Sequence, residues 1–407
     1  MLLTTVGYKP AWNIGGPVHT VVALAEGLAR RGHEVWVAAT DSNLTERLEV
    51  DTEAWHDLDG VRVRYFRMQD SWTKRIPLDY FRKSNADYRA PGFARWLHGE
   101  APRFDVVHSH LAFAHANRVA AAWCRERGVP FVYQQHGVFD PVRMRHRALK
   151  KRLAFALWER RVCESAAALI ALTEYEAETY RALGLSGRVA VIPNGVEPPG
   201  EPPPPGVLLE QIPDICDEDV VALFLGRLHP TKGVDVAVEA CLRLDEPRAR
   251  LIVAGPDEFG LREGLERRVR EAGARVRFLG SVGGELKSAL LHRADLFVLP
   301  TVSEGFSIAV LEALAHGCPV LTTDGAHFPE IEQDGAGLVL ARTADAFAEG
   351  IRVLAHDAGR RRAMGEAARR LVAERYTWER IVDRFEDLYK ELAKPGTVWN
   401  ESGAKSV

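Results

Sequence analysis

Along this chain, short runs of β-branched and other apolar residues alternate with longer stretches in which apolar positions recur every three to four residues. The short runs predict strands near Leu2–Val6, Glu34–Ala39, Val61–Phe66, Asp105–His108, Phe131–Gln135, Ala168–Leu172 and Val189–Ile192. The same pattern returns near Val220–Leu225, Arg250–Ala254, Val276–Leu279, Asp295–Leu299 and Pro319–Thr322. The longer stretches predict the intervening helices, among them Val18–Arg31, Ala114–Arg127 and Ala148–Glu164. Such alternation is the pattern of a parallel sheet wrapped by helices. Strands that are apolar at nearly every position suit a sheet covered on both faces.

The rhythm occurs twice, and the stretch between its two halves, residues 192–206, holds seven prolines in fifteen positions. Proline lacks an N–H and fixes φ, so this stretch cannot join a sheet and reads as a semi-rigid linker. The expected fold is therefore α/β, with two doubly wound Rossmann-like domains facing each other across a cleft. The expected boundaries are an N-terminal domain over 1–196, a linker over 197–206 and a C-terminal domain over 207–376. A helix over 377–394, able to cross back to the first domain, and a polar, disordered tail over 395–407 follow.

Composition narrows the class. With 46% hydrophobic and 27% charged residues the chain is neither disordered nor fibrous. A formal net charge of −3 argues against a nucleic-acid binder. That average hides a split: residues 1–200 carry 27 basic and 22 acidic side chains, residues 201–407 carry 26 and 34. The basic half and the acidic half face different electrostatic tasks. Five scattered cysteines, with no C-x-x-C pair, suggest a reducing compartment and neither a disulfide framework nor a zinc ribbon. The start of the chain reads as a strand and no run is apolar enough for a membrane span, so a cytoplasmic protein is expected.

Ligands of doubly wound sheets sit beyond the carboxyl ends of the strands, so the loops there carry the candidate chemistry. After the first strand, Gly15-Gly16-Pro17 opens a helix; it fits either an anion site at free N–H groups or an ordinary turn. After Val220–Leu225, Gly226-Arg227 and Lys232-Gly233 place two cations five residues apart. They read as a diphosphate clamp or as plain surface charges. Glu304 and Glu312 stand eight apart, a spacing that Glu26/Glu34 and several other pairs share. Their context is what separates them. Between them Phe306, Ser307 and Ile308 open a helix whose amides could hold an anion, and two carboxylates nearby could accept from sugar and ribose hydroxyls. His108, His110 and His136 lie at two successive strand ends, as core histidines or as site residues. Asp57-Leu58-Asp59 matches a metal-binding D-x-D only superficially and reads as a turn before Gly60.

Taken in order, these motifs resemble the retaining, nucleotide-sugar-dependent glycosyltransferases of the GT-B fold, the group 1 (glycogen synthase/mannosyltransferase-like) family. The resemblance runs from Gly15-Gly16-Pro17 through Asp105–His110, His136-Gly137, Ile192–Val196 and Gly226…Gly233. It ends in the Glu304…Glu312 block that continues to Val320, its most specific part. It implies that Arg227 and Lys232 bind the donor diphosphate, and that Gly16 brings its backbone to it. It implies that Glu304 accepts from the transferred sugar and Glu312 from the ribose, beside the amides of Phe306, Ser307 and Ile308. His136 would contact the sugar or phosphate near the reacting carbon, and His110 would line the acceptor side. The family most often has glycine where Ser307 stands, which leaves donor preference open. No metal and no cofactor are implied, the nucleoside-diphosphate sugar being a co-substrate. The acceptor would be a hydroxyl of a glycan, a lipid-linked saccharide or a small molecule.

Two other readings share these residues: a nucleotide-sugar epimerase or other GT-B enzyme, and a non-catalytic sugar-binding relative. The segment 143–161, with eight Lys or Arg and one Glu, adds a question about partners. As a helix it would turn Leu149, Leu153 and Ala156 to the core and Arg147, Lys151, Phe155 and Trp158 outward. That face suits peripheral contact with an anionic membrane at its inner surface; a solvated helix whose aromatics pack on a neighbour is the other reading.

Overall fold

The computed structural model describes residues 1–44, 46–69, 88–145 and 148–394. It divides into two compact units, Met1–Asn194 with Trp378–Val407, and Gly195–Thr377. The tail 395–407 and Arg147 lie outside the described residues.

In the first unit eight strands form one sheet: β1 (Leu2–Thr5), β2 (Trp36–Thr40), β3 (His56–Leu58), β4 (Val61–Phe66), β5 (Val107–His110), β6 (Phe131–Gln134), β7 (Ala168–Ala171) and β8 (Val189–Val191). Their order is β8-β7-β6-β5-β1-β2-β4-β3. All neighbours are parallel except the edge pair β3 and β4, which is a hairpin turned at Asp59 and Gly60, both with positive φ. The D-x-D stretch thus enters an edge strand before it turns, and Asp59 pairs with Lys9.

The second unit has six parallel strands: β9 (Val220–Leu225), β10 (Ala249–Ala254), β11 (Val276–Gly280), β12 (Leu296–Leu299), β13 (Val320–Thr322) and β14 (Gly337–Val339). They run β11-β10-β9-β12-β13-β14, so the winding reverses between β9 and β12. All six residues of β9, all six of β10 and all four of β12 are buried, which is why β9 and β12 read as continuous apolar runs and β10 as one broken only by Arg250, whose guanidinium is held by Asp214 at 2.9 Å. Both units are Rossmann-like, and residues 197–206 lie within the second.

The chain passes between units twice, at Asn194–Gly195 and at Thr377–Trp378. The two crossings begin side by side, since the Val196 N–H donates to the Tyr376 carbonyl at 2.8 Å. After the second crossing, the helix Trp378–Leu392 packs into the first unit's core through Trp378, Ile381, Val382, Phe385, Leu388, Tyr389 and Leu392. Opposite it, helix Gly16–Arg30 carries Gly27, where an added Cβ would stand 2.6 Å from Val382. Only a residue without a side chain lets the two helices approach this closely. Arg31 adds ion pairs to Asp383 at 2.7 Å and Glu386 at 2.9 Å.

The basic segment corrects the expected helix faces. It is helical over Ala148–Ala154, widens into a π-helical turn over Phe155–Glu159, and resumes over Arg160–Glu164. Phe155 points inward, its ring edge-on to Phe139 at 5.4 Å, and Trp158 lies beneath the Arg118 guanidinium at 5.0 Å. Leu149, Leu153 and Ala156 face solvent instead. The apolar stripe and the aromatic stripe lie on opposed sides of the helix, so periodicity admits either inward. Packing decides, because aromatic rings bury more area than leucines. Glu159 is a second reason: fully buried, it accepts from the Phe113 N–H at 3.0 Å and from the Tyr133 hydroxyl.

Candidate active site

In a doubly wound sheet the loops flanking the reversal of winding splay apart, and the opening receives the ligand. In the second unit those are the loops after β9 and β12, and they carry Arg227, Lys232 and Glu304. The loop after β9 runs from Gly226 into a short 3₁₀ turn, Pro230–Lys232, capped by His229, whose Nδ1 accepts from the Thr231 N–H at 3.0 Å. Gly233 then takes φ 76°, and a Cβ there would stand 2.0 Å from the Pro300 carbonyl oxygen. This glycine lets the loop press against the end of β12. The Val302 N–H donates to the Thr231 carbonyl at 2.7 Å and ties the two loops together.

That contact sets the central pair. Lys232 Nζ donates to Glu304 Oε2 at 2.8 Å, with Glu304 buried and Lys232 mostly so. The other carboxylate oxygen accepts from the Thr301 hydroxyl at 2.9 Å. Three residues on, helix Ile308–His316 begins at Ser307, whose side chain does not cap it. The N–H groups at the start of a helix have no intrahelical acceptor and carry the positive end of its dipole. Phe306, which leads into this start, is buried against the rings of Phe328 and Tyr376 at 4.7 and 5.6 Å. Glu312 lies within the helix and pairs with Lys287 at 2.6 Å. Arg227 is turned to Glu258 at 2.9 Å, and more than half of its side chain is exposed. The structure therefore joins Lys232 to Glu304 two residues ahead of Phe306 and the helix start, joins Glu312 to a lysine the motif reading missed, and leaves Arg227 exposed on Glu258.

The first unit reverses its winding between β1 and β5. The loop after β1 closes at Gly15, with φ 89°, and Gly16 opens a helix that has no side-chain cap. His108 and His110 both lie inside β5, two apart and so on one side of it, their rings 4.0 Å apart. His110 Nδ1 is 3.1 Å from His136 Nε2, and His108 Nδ1 is 2.7 Å from the Tyr389 hydroxyl. Burial holds all three histidines below their ordinary range: His108 and His110 well below it, His136 down to about 3, helped by nearby Arg143. They are neutral imidazoles at neutral pH. His110 has no exposed surface, so any acceptor-side role it has runs through His136.

His136 sits at φ 58° and Gly137 at φ 71°, a left-handed bend after β6. Buried Glu176 secures it, accepting from the Gly137 N–H, the Leu172 N–H and the Tyr180 hydroxyl, each at 2.7 Å. Neither Glu176 nor Tyr389 stood out in sequence. Glu176 reaches Gly137 across 39 positions and Tyr389 reaches His108 across 281, and nothing local marks a partner so far away. Lys287 had no signal either.

Residues 14–198 match the family described as Glycosyltransferase Family 4, and residues 209–371 match Glycosyl transferases group 1. A D-inositol 3-phosphate glycosyltransferase of Actinosynnema mirum is 31% identical over 411 residues, spanning 91% of this chain and 90% of that protein. The chain belongs to the group 1 glycosyltransferases. Another D-inositol 3-phosphate glycosyltransferase, from Kineococcus radiotolerans, is 30% identical to this transferase over 93% of it and 91% of the relative. Among solved structures, sucrose-phosphate synthase of Thermosynechococcus elongatus superposes with a TM-score of 0.73 at 22% identity, covering 96% of the transferase and 98% of that chain. HepE of Anabaena, solved with UDP-glucose, gives 0.70 at 19%, covering 96% and 99%. These likenesses establish the GT-B fold of the glycosyltransferase. Among its described residues no helix is long and apolar enough to cross a membrane.

Proposed function

We propose that this glycosyltransferase moves a hexosyl group from a nucleoside-diphosphate sugar to an acceptor hydroxyl, with retention of anomeric configuration and without a metal. The observation that carries the reading is the buried Lys232–Glu304 pair beside the uncapped start of helix Ile308–His316. The carboxylate that holds the cation lies close in sequence to the positive end of a helix dipole, which suits a diphosphate, and it still has lone pairs for sugar hydroxyls.

In this reading Lys232 and the Phe306–Ile308 amides neutralise the diphosphate, and Arg227 leaves Glu258 to add its planar fork. Charge developing on the leaving nucleoside diphosphate meets donors already in place, so the stabilisation needs little rearrangement. Glu304 accepts from the hexose and Glu312 from the ribose, with Lys287 fixing Glu312. The Gly16 amide is assigned to the diphosphate as well. His136, neutral, offers a hydrogen bond near the reacting carbon and carries no charge; His110 sets its tautomer. With no carboxylate assigned as nucleophile, the acceptor attacks an oxocarbenium-like centre from the face the phosphate leaves, its hydroxyl proton passing to the departing diphosphate oxygen as the bond from the anomeric carbon to that oxygen breaks. The relatives' names make D-inositol 3-phosphate the first acceptor to try, followed by glycan and lipid-linked acceptors.

The test is a panel of nucleoside-diphosphate hexoses scored by thermal shift and by transfer to these acceptors, with and without chelator. The anomeric coupling of the product is read by NMR. Wild-type transfer that survives in Lys232→Ala or Glu304→Ala, or an inverted product, defeats the reading.

A further inference from the structure

The helical segment Ala148–Glu164 shows solvent a face that the fold leaves uncovered. Leu149, Leu153 and Leu157 are 82%, 57% and 56% exposed, and they follow one another at intervals of four. In a regular α-helix such a row drifts around the axis by about 40° per step. The π-helical turn over Phe155–Glu159 rotates less per residue, so the step from Leu153 to Leu157 drifts less than the step before it. Exposed Ala156 lies beside them, and Arg145, Arg152 and Arg161 are exposed around the row. The only acidic residue of 143–161 is Glu159, which is fully buried, and Glu164 in the last turn is held by Arg160 at 2.7 Å, so cations outnumber carboxylates along this helix. The arrangement follows from the packing described above: turning Phe155, Trp158 and Glu159 inward necessarily turns the leucines out.

We propose that this face seats the protein on an anionic lipid surface, with the three leucines at the boundary of headgroup and acyl chain and the arginines against lipid phosphates. A row of leucines inside a ring of cations is the composition of a helix lying in a membrane interface. Charge complementarity selects this occupant. A second copy of the chain docking face to face would set arginines against arginines. The inference goes beyond the transfer reaction proposed above and does not depend on the donor chemistry.

The test is flotation of the purified full chain with vesicles of phosphatidylcholine alone, and of phosphatidylcholine mixed with phosphatidylglycerol, at low and high salt. Wild type floats with the anionic vesicles, and less so at high salt. The variant Leu149→Ser/Leu153→Ser/Leu157→Ser partitions at least about tenfold less, as expected when three apolar side chains are lost from the interface. The variant Arg152→Gln/Arg161→Gln loses the preference for phosphatidylglycerol. Near-ultraviolet circular dichroism and donor hydrolysis in solution, both unchanged in the leucine variant, show that its fold and site are intact. A wild type that floats with neither vesicle, or a leucine variant that floats as well as wild type, overturns the proposal. So does a wild type that fails to float but runs as a dimer which the leucine variant abolishes, since the face is then a contact between copies.

Discussion

Acidification from about pH 7.5 to about pH 5.5 should weaken the first unit through His108, His110 and His136, which are neutral in the fold and ordinary in the unfolded chain. Their native pKa values are depressed, so between the native and unfolded values the unfolded chain binds more protons, and stability falls as pH falls. For a histidine that ionises only when unfolded, with a pKa near 6.5, the cost rises from about 0.1 kcal/mol at pH 7.5 to about 1.4 kcal/mol at pH 5.5. Three of them sum to about 4 kcal/mol, a large part of a typical domain's stability. Glu159 and Glu176 act with the opposite sign. Burial raises both, so their protonation favours the fold as pH drops. Glu386, held at about 2 by Lys390, His33 and Arg31, loses its contribution only below the ordinary carboxylate range, beneath this window.

The histidine share is isolated by comparing wild type with His110→Asn in urea unfolding at several pH values. All nine tryptophans lie in 1–194 or 378–407, so their fluorescence reports the first unit alone. Whatever its pH-independent cost, the variant should lose about 1.4 kcal/mol less than wild type between the two pH values. Equal losses in the two proteins would mean that His110 titrates normally in the fold, and would refute the reasoning.

Lys232→Ala should lower kcat/KM for transfer by about 10²–10³-fold, the scale of one preorganised donor removed from a developing charge, and steady-state kinetics will show it. Gly233→Ala should cost the second unit about 2 kcal/mol or more by calorimetry, because the added methyl meets the Pro300 carbonyl at a left-handed φ. Lys287→Met should raise KM for the donor several-fold with little change in kcat, by freeing Glu312 from its ion pair. The pH profile of kcat should show no inflection that His136→Asn removes between about pH 5 and pH 8, since this imidazole stays neutral throughout.

Twelve of the fourteen sheet strands among the described residues were legible as short runs rich in apolar and β-branched residues; the edge strands β3 and β14, three residues each, gave too short a run to show. The loops after β9 and β12 were legible because Gly226…Lys232-Gly233 and Glu304…Glu312 follow such strands directly. The single bond that defines the site, Lys232 to Glu304, spans 72 positions and could be inferred only from the reversal of winding between β9 and β12. The face of Ala148–Glu164 was misread because two apolar stripes compete there, and neither the π-helical turn nor the demand of Glu159 for internal donors leaves a periodic trace. His108 and His110 do lie at the carboxyl end of β5, which starts and ends two residues later than expected and closes on His110.

The helix Trp378–Leu392 also bears on how the protein is made. Its apolar face completes the core that β1, β2 and helix Gly16–Arg30 begin, although nearly two hundred residues of another unit are translated in between. On the ribosome, the first unit therefore waits with Val18, Val21 and Leu28 short of their partners until residue 392 has emerged. The second unit is contiguous and can close earlier. The order of folding is then the reverse of the order of synthesis, and a nascent chain stalled before Trp378 presents an unfinished core to chaperones.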